Sequence, residues 1–236
     1  MNKILIIIIT LFTINSNIYS QYAGSRSLMN YTYFKTKPYY FGIALGYDNA
    51  NLFLKKSSYF VDDSKYLIVE PSSGVGFHVD MIVNLKLGET FDLRLLPGFS
   101  FADKKIDYYT DLSGEVNNYK KFESVFIEVP ILVRYKSEPY NDMRAYVLTG
   151  IRYSYDVNSN ANARNNEDLL KISPHDFQFE IGTGLQFFFP YFIFSPEIKL
   201  STGIGNVLQY DKELKESKVL EKILTKALAI SFHFEG

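Results

Sequence analysis

Cysteine is absent from the sequence, which excludes a disulfide framework, a thiol nucleophile and any cysteine metal site. The same absence removes the lipidated cysteine of a bacterial lipoprotein, so any membrane attachment must come from the fold itself. Tryptophan is absent too, and the 17% aromatic content comes from 19 Tyr and 20 Phe. An excess of charge of one sign is also lacking. The formal net charge is -1 and the pI is near 6.3, so no basic field exists to recruit nucleic acid. Past residue 20 no segment approaches the roughly 18 apolar residues of a spanning helix. The nearest, Phe187 to Phe194, is interrupted by Pro190. Yet hydrophobic content is 47% at a mean hydropathy of only -0.08, the mark of apolar residues interleaved with polar ones.

The amino terminus reads differently. Met1-Asn2-Lys3 precedes an apolar run from Ile4 to Ile14, broken only by Thr10 and Thr13. Polar Asn15, Ser16 and Asn17 then lead to Ile18-Tyr19-Ser20-Gln21. A positive start, a short apolar core and a small residue predict a signal peptide over 1–20, cut after Ser20. Residues 21–38 are then an N-terminal periplasmic segment, and 39–236 form the folded domain.

In that domain the recurring pattern is period-two alternation, which marks strands with one apolar face. From Gly76 to Leu87, Phe77, Val79, Met81, Val83, Leu85 and Leu87 oppose His78, Asp80, Asn84 and Lys86. Phe91, Leu93, Leu95, Phe99 and Phe101 oppose Asp92, Arg94, Gly98 and Ser100. The pattern returns over 125–135, 146–155, 177–187, 197–201 and 228–234, and an earlier strand spans Tyr39 to Tyr47. Short links (Gly88 to Thr90, Lys136 to Asp142, Phe189 to Phe192) alternate with long polar ones (Asp48 to Ser73, Ala102 to Lys121, Asn158 to Pro174, Asn206 to Thr225). That order fits short periplasmic turns and longer outside loops. The expected fold is all-β: a transmembrane antiparallel up-and-down β-barrel of about eight strands, in the outer membrane. A soluble calycin-like barrel would turn its apolar face inward. The other face here is rich in Gly and Ser with single charges of both signs, which suits a packed polar lumen. Pro97, Pro130 and Pro196 fall inside predicted strands and predict bulges that split or bend them.

The inward charges are nearly balanced. Asp80, Asp92, Glu128, Glu180 and Glu197 meet Lys86, Arg94, Arg134, Arg152 and Lys199, and are read as a structural lumen network. A turn at Gly88 to Thr90 sets Lys86 opposite Asp92 and Asn84 opposite Arg94, because partners share a face. A turn at Glu138 to Asp142 sets Glu128 opposite Arg152. A register two residues tighter would set Arg134 against Arg144, which like charge disfavours. An eight-stranded barrel is only just wide enough for its own side chains, so the lumen is expected to be plugged. That argues against a general porin. His78 and His233 are predicted inward, near Ser231, Asp80 and Glu235, but no GxSxG turn or other nucleophile signature accompanies them. Two histidines without a patterned third ligand make no metal site. No catalytic residue and no cofactor is expected. Of the links, Leu52 to Tyr66 mixes aromatics with lysines, and Asn158 to Asp168 is an Asn-rich solvated stretch. Lys212 to Lys226 is amphipathic, read as a short helix over the barrel mouth or as a strand extension.

Three segments are more specific than alternation. They are Gly76 to Phe101, containing FDLRLLPGFSF; Glu123 to Ser137, ESVFIEVPILVRYKS; and Ala145 to Asp156, AYVLTGIRYSYD. Together they resemble PorT (called SprT in gliding bacteria), an outer-membrane component of the type IX secretion system, from about Phe34 to the carboxyl terminus. The resemblance implies an integral outer-membrane protein, without enzyme activity or cofactor, needed for cargo export and for gliding motility. It implies docking to other secretion-system subunits, with outer-membrane lipid as the second partner and no small-molecule substrate. The alternative is a general outer-membrane barrel acting in adhesion or defence through its outside loops.

Overall fold

The computed structural model describes residues 29–56, 68–72, 74–109, 118–158, 173–208 and 220–236. The expected signal peptide lies outside the described residues. A short helix, α1 (Met29–Lys35), is followed by β1 (Tyr39–Lys56), β2 (Ile68–Ser72), β3 (Gly74–Lys86), β4 (Phe91–Leu95) and β5 (Gly98–Tyr109). Then come β6 (Asn118–Lys136), β7 (Met143–Asp156), β8 (His175–Phe188), β9 (Ile193–Gly203) and β10 (Leu220–Glu235). All pairings are antiparallel, and β1 pairs with β10 to close the sheet into a ring. β2 and β3 share the partner β5, and β4 and β5 both lie between β3 and β6. Each couple is one stave, so the ring has eight, as the alternation predicts.

The alternation fixes which side each residue faces. On β3 and β7 buried and exposed positions alternate along the strand, and the buried ones are the mainly polar set, with Ile82 and Leu148 as apolar exceptions. The outer wall is aliphatic in its middle, with Ile43, Leu45, Met81, Val133, Ile151, Ile181 and Leu200 facing out. Aromatic rings ring both ends. Near the short turns Phe91 meets Tyr135 at 5.2 Å and Phe194 meets Phe234 at 5.4 Å. Toward the long loops Phe77 stacks on Phe101 at 4.7 Å and Tyr153 meets Phe177 at 5.1 Å. A continuous apolar belt flanked by aromatic girdles is the surface a bilayer covers, not one that water tolerates. On β1 the band runs from Tyr39 to Tyr47, then Asn49 and Asn51 point outward. That length matches the roughly 9–11 residues of a tilted membrane strand.

The staves do not stop at the band. β1 is 18 residues long, and its ladder with β10 persists to Lys55 opposite Lys222. β5 reaches Tyr109 and β6 begins at Asn118. Much of what the sequence marks as loop over 48–73, 102–121 and 206–225 is therefore paired strand. Residues 220–226 belong to β10, so the amphipathic stretch continues as strand there, and 212–219 lie outside the described residues.

Pro97 splits its strand as predicted, into β4 and β5, but the prolines insert no bulge. Pro97 interrupts the ladder between β4 and β5, yet Val83 faces Leu95 on one side and Asp80 faces Gly98 on the other, in one register. No residue is inserted, so this is a gap and not a bulge. Pro130 sits across from that gap, where its carbonyl accepts the Leu96 N–H at 3.2 Å and its missing donor deprives no ladder partner. Pro196 leaves a gap against β8 with the register from Gly184–Glu197 to Phe187–Phe194 unshifted.

Candidate functional site

Turn geometry decides which lumen side chains meet. Gly88, at φ +109°, turns the chain between β3 and β4 and sets Lys86 opposite Asp92 and Asn84 opposite Arg94, the predicted register. The β6–β7 register differs from both expectations. Asn141 and Asp142 take φ of 47° and 56° in a two-residue turn closed by Tyr140 and Met143, the primed geometry that matches strand twist. Pairing therefore continues past Ser137. Arg152 faces Pro130, Glu128 faces Ser154, and Arg134 faces Leu148. Arg152 still reaches Glu128 diagonally, at 3.0 Å.

The lumen contains two polar layers. In the turn-side layer Arg94 donates to Glu235 at 2.5 Å, to Glu197 at 3.4 Å and to Asn84 at 3.3 Å. Arg134 donates to Asp92 at 2.5 Å and to the Tyr40 hydroxyl, and its guanidinium lies 4.8 Å from the Tyr146 ring. Lys136 also bonds Asp92, and the Tyr146 hydroxyl donates to Glu197 at 2.8 Å. Three cations thus meet three carboxylates in a layer sealed from solvent. Lys86 points away from Asp92 and donates to the Phe34 carbonyl of α1.

In the loop-side layer Arg152 lies between Glu128 and Glu180, the latter at 3.4 Å, and donates to Gln178 and to Ser201. Lys199 stands 3.6 Å from Glu180. His78 bonds Asp48 at 2.7 Å and approaches Asp80 at 3.7 Å. Asp176 accepts from Thr225 at 2.6 Å and from Gln178 at 2.7 Å. A cavity of about 30 Å³ beside Glu128 and Arg152, of mixed polar and apolar lining, has room for water. Ala44, Ile82, Leu96, Leu132, Tyr146 and Leu148 form a buried apolar cluster between the layers, on one side of the lumen.

The turn-side mouth is covered by α1. At the turn side Phe34 of α1 packs against Phe188 and Ile193. Asp142 accepts the Tyr31 N–H at 3.0 Å, and Asn30 donates to the Phe188 carbonyl at 3.1 Å. Lys35 reaches Glu89 at 2.7 Å, and this bond raises the Lys35 ammonium and lowers the Glu89 carboxyl from their ordinary values. At the loop side Val207 and Leu208 are buried, with Asn206 accepting the N–H groups of Leu208 and Ile223 at 3.1 and 3.0 Å.

Glycine makes this filling possible, since a lumen glycine stands opposite a large lumen side chain. A Cβ on Gly98 would lie 2.0 Å from an Asp80 carboxylate oxygen and 2.5 Å from the Val79 carbonyl oxygen. Gly184 makes similar room for the Tyr146 ring. Gly98→Ala is expected to cost about 1–3 kcal/mol by overpacking, read as a lower urea midpoint in lipid vesicles. An unchanged midpoint would show that β3 and β5 can separate.

The histidines lie in different networks. A guanidinium only donates, so His233 Nδ1 accepts from Arg94 at 2.8 Å, and Nε2 carries the hydrogen toward Ser231 Oγ at 2.9 Å. In that tautomer His233 cannot take the Ser231 proton. Both residues are buried. Period-two parity puts the ten predicted charges on the inward row, and nine of them are buried, whereas Lys86 reaches α1; Lys136 and Arg144, within or beside the expected turn, are buried too. Asp48 falls in a predicted loop, although it continues the inward row of Gly42, Ala44 and Gly46.

Among solved structures, OprG from Pseudomonas aeruginosa is 10% identical with a TM-score of 0.48, covering 84% of this chain and 93% of that one. Neisserial surface protein A is 12% identical with a TM-score of 0.41, over 82% and 95%. Ail of Yersinia pestis, solved with the heparin analogue sucrose octasulfate, is 13% identical with a TM-score of 0.36, over 85% and 100%. No curated protein matches the chain. The family described as outer membrane protein beta-barrel domain matches residues 39–209. Belt, girdles, polar lumen and that match lead to one conclusion: the chain belongs to the outer membrane protein beta-barrel domain family and is an outer-membrane barrel.

Proposed function

We propose that this barrel is non-enzymatic and acts through the surface it carries beyond the membrane, in adhesion or defence, with no passage of solute through its lumen. The filled lumen carries this reading, since two bonded polar layers, an apolar cluster and a turn-side mouth covered by α1 leave surfaces to do the work. The paired extensions of β1 with β10 and of β5 with β6 carry the wall itself past the girdle on this side. Residues 1–20 are read as a cleaved signal peptide and 21–38 as a periplasmic segment.

The test exchanges segments 57–67, 110–117, 159–172 and 209–219 for short turns. The exchanged barrel is expected to insert normally, to give no conductance steps in planar bilayers, and to lose surface binding to host matrix or serum factors. Retention of that binding would reject the reading. A second reading rests on the resemblance of the 76–101, 123–137 and 145–156 segments to PorT. On it the barrel docks secretion subunits through its turns, its amino-terminal segment or its lipid-facing wall. The family match stops at the barrel domain and names no secretion system. Unchanged cargo export after gene deletion would sink this second reading.

A further inference from the structure

Under α1, at the turn-side mouth, lies a cavity of about 240 Å³. Five cations line it, Lys35, Lys37, Lys86, Lys136 and Arg144, against the single carboxylate of Glu89. Glu89 is held by Lys35, and Lys136 is held by Asp92 of the layer behind it. Lys86 and Arg144 have no carboxylate within ion-pair distance among the described residues. Lys86 donates to the Phe34 carbonyl and lies 5.5 Å from the Tyr40 ring centre. Arg144 is only 6% exposed. It donates from Nη2 to the Tyr31 hydroxyl at 2.6 Å, while its Nε has no hydrogen-bond partner.

A guanidinium buried without a counter-charge is costly, and an unbonded N–H adds to that cost. No Asp or Glu precedes Asp48, so residues 1–47 carry only Lys3, Arg26, Lys35 and Lys37 as charged side chains. Asp142, on the neighbouring turn, is engaged by Tyr31 and Asn30.

We propose that this cavity binds a phosphate group, from a phospholipid of the periplasmic leaflet or from free inorganic phosphate. The Arg144 fork and the Lys86 ammonium supply directed donors to its oxygens, as such groups do for phosphate elsewhere. The volume falls below the roughly 300–1,000 Å³ of pockets that enclose whole drug-sized molecules, which suits a headgroup. The height suits one too. Tyr39 and Phe41 on β1, and Phe91 and Tyr135 on β4 and β6, form the aromatic girdle at this same end. A ligand here would bridge α1 to the strand ends. The site lies at the mouth opposite the proposed surface function and does not depend on it.

The test uses the mature protein folded in an alkyl glucoside, which carries no phosphate. One arm titrates inorganic phosphate at constant ionic strength, followed by phosphorus NMR. The other titrates dioleoyl phosphatidylglycerol against digalactosyl diacylglycerol, followed by native mass spectrometry. Saturable uptake of one phosphate-bearing ligand is expected, weakened about tenfold or more in Arg144→Gln and in Lys86→Gln, and unaltered in Lys55→Gln at the opposite end. Lys86 is half-exposed, so its variant keeps the test decisive if Arg144→Gln fails to fold. Uptake of phosphatidylglycerol alone places the source in the leaflet, whereas uptake of inorganic phosphate places it in solution. Absence of saturable binding in both arms, equal binding by the galactolipid, or an undiminished affinity in Lys86→Gln would overturn the proposal.

Discussion

Replacing Arg94 with methionine is expected to destabilise the folded barrel by about 3–5 kcal/mol, the usual cost of removing one member of a buried ionic cluster. Arg94 is fully buried and supplies the nearest cationic contact of both Glu235 and Glu197. Without it, Glu235 keeps Arg134 at 3.7 Å and His233 at 3.9 Å, and Glu197 keeps the Tyr146 hydroxyl and His233 at 3.8 Å. Two carboxylates would then share a layer sealed from water, with Asp92 as a third. Methionine fills much of the volume, so the loss comes from uncompensated charge and not from a cavity. The triple change Arg94→Met, Glu197→Gln, Glu235→Gln removes the cation and two carboxylates together and is expected to recover most of the loss. Because the chain lacks tryptophan, unfolding is best followed by heat-modified migration in gels or by circular dichroism in vesicles. Equal stability of the single and triple variants would show that Arg94 serves packing and not charge balance.

Placing arginine at Ile151 is expected to cost about 2–4 kcal/mol, because that outward position lies near the middle of the apolar belt. Ile151 is flanked by Ile131 on β6 and Phe179 on β8, and all three face out. The same change at Tyr135, in the turn-side girdle, is expected to cost only about 0–1 kcal/mol, since a long cationic side chain there reaches the headgroups. The contrast depends on lipid: a barrel facing water on that wall would tolerate both changes alike. Folding the two variants into vesicles and comparing urea midpoints measures it.

The legible parts of this structure are those governed by the period of a strand. Parity alone assigned Asp80, Asp92, Arg94, Glu128 and Arg152 to one side of the wall, because a pleated strand offers two faces. It also gave the register of the Gly88 turn, where a three-residue link leaves little freedom. The β6–β7 register escaped because Asn141 and Asp142 form the whole turn, and the residues before them read as loop while they still pair. Helix α1 escaped for a different reason. Met29 to Lys35 is too short for helical periodicity to register, and its support comes from Asp142, Phe188 and Lys86, distant in the chain. The strand extensions past the girdle lose the apolar half of their alternation, because lipid no longer selects their outward residues. The prolines break pairing, as the split at Pro97 shows, but a missing donor need not insert a residue, and Pro130 stands opposite an existing interruption in its partner.

Among the described residues, the ladder of β1 with β10 is the one pairing between staves that do not follow one another along the chain. Any order of hairpin assembly therefore yields an open sheet with two raw edges until the first and last strands meet. Non-local closure of this kind is slow, and unpaired edges invite the wrong neighbour meanwhile. This seam also runs on beyond the bilayer, from Gly42 opposite Glu235 to Lys56 opposite Leu220. Much of the reward for completing the ring is thus withheld until the final step, which makes the half-built protein vulnerable and the finished one kinetically locked.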